Sequence, residues 1–174
     1  MYHSVISLFF PRLFLCVLFA CAGIARGDGA SDCAKAAGTY RSGRVASVPM
    51  YVPGASVNGV ELSHTRLSML ADQDGKTYDV AIDNIFADGY DVHQRKIPAP
   101  LDSIVINDRL EVCGELYTSG VGIHWVHTNC GVAPSAARPD GWTKRYASDG
   151  SLSQNLEGNT QFCAIFSHKV ADTF

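Results

Sequence analysis

Four cysteines constrain this chain more than any other feature: Cys33, Cys113, Cys130 and Cys163. They follow an apolar run over residues 13–25, which is about 13 residues long and too short to span a bilayer comfortably (~20 residues). Arg12 flanks the run on its N-terminal side, and small residues follow at Ala20, Ala22, Gly23, Ala25 and Gly27. This is the layout of a secretory signal over residues 1–27, with cleavage sites at Ala22, Ala25 or Gly27, of which we favour Gly27. Lipidation at Cys21 is a weaker reading, because Phe19 is bulkier than such sites prefer. The expected localisation is therefore exported, periplasmic or secreted. Cys16 and Cys21 leave with the signal, and an even number of cysteines in an exported chain reads as two disulfides. No two of the four lie close enough in sequence to form the short chelating loop of a structural zinc site.

Spacing narrows the pairing. Residues 110–117 and 121–128 read as strands joined by Thr118-Ser119-Gly120. In such a hairpin Cys113 faces roughly Trp125, and Cys130 lies about five strand positions further on, at ~3.3 Å each, beyond disulfide reach. Of the pairings that remain, we favour Cys33–Cys113 with Cys130–Cys163.

Without the signal, 12 basic side chains face 17 acidic ones, a formal charge of −5. Nucleic-acid affinity comes mainly from neutralising phosphates, so a nucleic-acid partner is disfavoured, as is a polybasic membrane contact. No second apolar run approaches ~18 residues, so no transmembrane segment is expected after signal cleavage.

The rest of the chain alternates short strands with turn signals. Residues 28–38 read as a flexible lead-in. Strands are expected over 39–52 (interrupted by Pro49), 65–71, 77–86, 109–117 and 121–128. Asp74-Gly75 suggests a hairpin between the second and third of these. Residues 131–162 are rich in Pro, Ser, Asn, Asp and Gly and read as loops. The expected architecture is all-β: a small antiparallel barrel, OB-fold-like, with at most one short helix and a loop-rich C-terminal part. Residues 39–174 would form one disulfide-stapled domain.

The densest chemistry lies in Gly122-Ile123-His124-Trp125-Val126-His127. On a continuous strand, positions 124 and 127 point to opposite faces, so they can share a metal only if the strand bends or ends between them. Asp83 and Glu115 are candidate acid/base partners, although the favoured reading of both is the solvated outer face of an antiparallel sheet. His64, His93 and His168 are expected to be solvent-exposed. No Gly-x-Ser-x-Gly elbow, phosphate-cradling loop or dinucleotide fingerprint occurs.

The run Gly120–His127, followed by Pro139-Asp140-Gly141-Trp142, resembles a family of small secreted bacterial proteins of unknown function. That family carries a His-Trp-Thr-His signature after a glycine turn. Gly114-Glu115-Leu116-Tyr117 stands where it has Gly-Glu-Tyr, and Ala81-Ile82-Asp83-Asn84-Ile85 loosely matches its His-Asn-Ile segment. The likeness covers roughly residues 77–146 and departs at Val126 and in the four cysteines. It implies an exported OB-like barrel and no particular activity.

Three functions follow as expectations. The first is a binding or interaction protein for a small molecule, glycan or protein, with His124, Trp125, Tyr117 and Trp142 as ligand-binding residues and no cofactor. The second is a metal-assisted hydrolase, with His124 and His127 holding a divalent metal and Asp83, Glu115 or His124 as catalytic candidates. The third is a structural envelope protein. Without a recognisable catalytic constellation, the binding reading stands first and an enzyme is the lesser expectation.

Overall fold

The strand His64–Ala71 buries Thr65, Leu67, Met69 and Ala71 and turns the intervening residues outward. Period-two alternation puts one face on a core. The computed structural model describes residues 28–167; the leader reading over 1–27, with its cleavage sites and Cys21, and His168 lie outside the described residues.

The elements in chain order are α1 (Gly29–Lys35), β1 (Thr39–Val45), β2 (Met50–Val52), β3 (Ser56–Val57), β4 (Val60–Glu61), β5 (His64–Ala71), β6 (Thr77–Asp83), β7 (Arg109–Leu116), β8 (Gly122–His124), β9 (Trp142–Arg145) and the single helical turn α2 (Ala164–Ser167). The strands pair in the order β1-β5-β6-β8-β7, and β1 pairs again with β7. The sheet thus closes on itself as a five-stranded barrel, and closure removes the barrel's open edges. One pairing departs from the expected antiparallel barrel. β6 and β8 run parallel, with Asp79 opposite Gly122 and Val80 opposite Ile123.

Gly43 is where the barrel closes. It lies opposite Ala71 of β5 and Leu110 of β7. A Cβ there would come within 2.1 Å of the Leu70 carbonyl oxygen, so only glycine permits this close approach. Val45, Leu67, Met69, Val80, Ile82, Leu110, Val112 and Ile123 fill the barrel, with Leu101 and Ile104 packing against them.

β7 is buried on both faces. Beyond the barrel, β9 pairs along it, from Leu110↔Arg145 to Cys113↔Trp142. Cys113 therefore faces outward into a cluster with Cys33 and Trp142, and Glu111 is buried beneath the hydroxyls of Tyr40 and Tyr146, each 3.0 Å from Oε2.

The disulfides are Cys33–Cys113 and Cys130–Cys163, with Cα separations of 5.5 and 5.3 Å. This is the expected pairing, and two disulfides fit an oxidising, exported compartment. Among the described residues no helix is long and apolar enough to cross a membrane.

The flexible lead-in expected over 28–38 is instead occupied by α1. Asp28 caps it by accepting from the Ala30 amide, Lys35 pairs with Asp32, and Cys33 is fully buried. Alanine has the strongest helix propensity, and the disulfide anchors a segment too short to be helical alone.

Candidate functional site

Two strand registers bring opposite chemistries together. In the β5–β6 hairpin His64 lies opposite Asp83, and in β7–β8 Glu115 lies opposite His124. Directly opposed side chains are within contact reach. Asp83 Oδ1 is 2.6 Å from His64 Nε2, and Glu115 Oε2 is 3.3 Å from His124 Nε2.

The β8 ladder ends at His124, and Trp125 takes the left-handed conformation (φ +55°). Few non-glycine residues adopt it, and here it reverses the alternation. His127 consequently turns back over β6, where its Nε2 is 3.0 Å from Asp83 Oδ2. The parity argument that set His124 and His127 on opposite faces fails because the strand stops between them. Both now line one cavity.

His127 is 3% exposed. Its ring stacks on Phe86, with centroids 3.8 Å apart and planes 7° apart, and Trp125 packs at 4.9 Å. Its Nδ1 is 2.5 Å from the Thr128 carbonyl oxygen. Both nitrogens therefore face oxygen atoms. Asp83 stays strongly acidic. Burial opposes its charge, but the hydrogen bonds and charges of His127 and His64 outweigh burial and hold its carboxyl well below the usual range.

The cavity encloses about 610 Å³ on the outer face of the barrel, at the start of β5 and the ends of β6 and β8. Leu62, Ile85 and Phe86 give it an apolar wall, and the Cys130–Cys163 disulfide and Phe166 bring the C-terminal segment against it. Asn84 braces the β5 end by bonding Thr65 and Ser63. Arg138 also lines the cavity and is exposed.

Of the residues expected at a site, Asp83, His124, Trp125 and His127 meet here. Glu115 reaches it only through His124, and Tyr117 packs beside His124 with centroids 4.9 Å apart without lining the cavity. Trp142 does not join them. It is 8% exposed against the Cys33–Cys113 disulfide, under the Lys144 ammonium at 4.6 Å, because β9 pairs along β7 away from the cavity. The solvated outer face expected for Asp83 is likewise replaced by two imidazole contacts.

Sequence reasoning set His64 aside as solvent-exposed. It is 34% exposed, faces Asp83, and its second ring nitrogen makes no hydrogen bond among the described residues. The register is set by a four-residue loop over 72–75, with Ala71 bonded to Lys76; a two-residue turn at Asp74-Gly75 would have placed His64 opposite Ile85 instead. Glu157 was also missed. It is fully buried, neither carboxyl oxygen has a hydrogen-bond partner among the described residues, and burial together with Asp83 and Asp88 raises its pKa well above 4.5.

Among the described residues no group of three or more His, Cys, Asp or Glu side chains is placed to hold a metal ion. His124 and His127 direct their Nε2 atoms to separate carboxylates, Glu115 and Asp83. Comparison with known proteins finds no match: no family model, no curated protein and no solved structure.

Proposed function

We propose that this protein is an exported binding protein that holds a small ligand on the outer face of its barrel. The observation that carries the reading is the 610 Å³ cavity, which lies within the ~300–1,000 Å³ typical of small-ligand sites. Its lining fits that class: an apolar wall with a few fixed polar groups. A small molecule suits the enclosed volume better than an extended glycan or a protein surface. The signal-like leader supports delivery to a periplasm or to the exterior, and lipidation at Cys21 is the lesser route. The motif likeness to the secreted His-Trp-Thr-His family is in keeping with this reading and adds no ligand.

Binding is favoured over metal-assisted hydrolysis because the two imidazoles of the motif engage different carboxylates. It is favoured over a structural role because a cluster that served only packing would not leave this volume open.

The two tryptophans make the test direct. In a Trp142→Phe variant Trp125 is the sole indole, and it lines the cavity. Titration with a small-molecule library should give a saturable change in its emission and a melting temperature that rises with ligand concentration. Phe86→Ala should weaken both effects. A library that yields neither effect favours the structural role instead.

A further inference from the structure

The lining charges say which ligands the cavity selects. Asp83 contributes a negative charge, but one oxygen faces His64 Nε2 and the other His127 Nε2. Glu157 is fully buried and burial holds it toward its neutral form, and the two other carboxylates nearby are committed. Glu115 is paired with His124, and one Asp140 oxygen accepts from the Thr128 hydroxyl and the Asn129 amide. Asn129 spends its side chain internally, donating to the Val132 carbonyl and accepting from the Gly131 amide. Arg138 differs from all of these. Its backbone bridges to Ser135, but its guanidinium makes no hydrogen bond or ion pair among the described residues. An exposed cation without a bonded counter-charge beside an apolar wall favours an amphipathic anion, because guanidinium pairs bidentately with a carboxylate.

Resting on the ligand-binding reading, we infer that the cavity takes a small organic carboxylate: an apolar body against Leu62, Ile85 and Phe86, with its carboxylate on Arg138. The net charge of −5 left after signal removal repels such ligands at long range, so selection has to come from this local group.

The test uses two probes with the same body, 4-phenylbutyrate and 4-phenylbutan-1-ol, titrated calorimetrically into the full chain lacking its signal. The acid should bind about tenfold more tightly than the alcohol, the size of one charge-assisted hydrogen bond. Arg138→Gln should bring the ratio of the two dissociation constants close to one, and Arg138→Lys should restore part of it. Arg138 is exposed, so the substitution leaves the core intact. Equal binding of acid and alcohol overturns the charge inference and leaves the cavity reading standing. A ratio that survives Arg138→Gln overturns the role of Arg138. If neither probe binds while other library compounds do, the carboxylate class falls alone; if nothing binds, the cavity reading falls with it.

Discussion

Asp83 is the residue whose replacement tests the site most directly. Asp83→Asn preserves its shape and removes its charge. The carboxylate accepts from two imidazoles, at 2.6 Å from His64 and 3.0 Å from His127. An amide offers one acceptor oxygen, and its NH₂ group faces the second ring N–H, so one pair turns from attractive to repulsive. The His127 side suffers most, because that ring is 3% exposed and water cannot replace the lost acceptor. A hydrogen bond to a charged group contributes about 1.5–3 kcal/mol, while the more exposed His64 pair is discounted to about 0.5–1 kcal/mol. The expected loss is about 2–4 kcal/mol. At roughly 3 °C per kcal/mol for a domain of this size, Tm should fall by about 6–12 °C. The pH dependence gives a second check. The folded pKa of Asp83 lies below its ordinary value of 3.8, so its stabilisation is complete above that value and is lost as pH falls toward the folded pKa. The difference in unfolding free energy between parent and variant, measured by denaturant titration, should therefore shrink as pH falls below 3.8. Equal melting temperatures, or a gap that stays constant into acid, would refute the assignment of Asp83 as the anchor of both imidazoles.

The disulfides should differ in consequence. Cys33 and Cys113 are separated by 80 residues and fully buried, so replacing both by serine should cost about 4–5 kcal/mol, against about 3–4 kcal/mol for Cys130 and Cys163, separated by 33. Only the second pair lines the cavity, so its loss should also weaken ligand affinity; chemical denaturation and calorimetry separate the two effects, and the reverse ranking in both would contradict the placement. Glu157 carries the opposite sign from Asp83: its folded pKa is raised above 4.5, so the parent loses stability as pH rises beyond 4.5 while Glu157→Gln does not. Unfolding curves at pH 5 and pH 7 should diverge in favour of the variant, and parallel curves would show that the carboxyl is satisfied.

Legibility followed the range of the interaction involved. The β5–β6 hairpin was readable because Asp74-Gly75 and the alternation around it are local signals. Strand spacing set aside only Cys113–Cys130 and left two pairings open, of which the structure holds the favoured one. The parallel β6–β8 pairing had no local signature, since strands joined by 38 intervening residues announce no partner. α1 was missed because its alanines show no apolar period and its anchor is a cysteine 80 residues away. The site failed at one residue. Treating Val121–Thr128 as one strand separated His124 from His127, whereas the left-handed turn at Trp125 reunites them, and no glycine or asparagine marks that position. Trp142 was assigned to the rim because it follows the motif in sequence, but β9 pairs along β7 and carries it to the other disulfide. The cavity forms where the β5, β6 and β8 ladders run out together. His64 opens one strand, Asp83 and His124 close two others, and residues just past those ends are free to turn back over the sheet as His127 does over β6. For a closed barrel, the ends of the ladders are therefore a better guide to a site than the face parity of the strands.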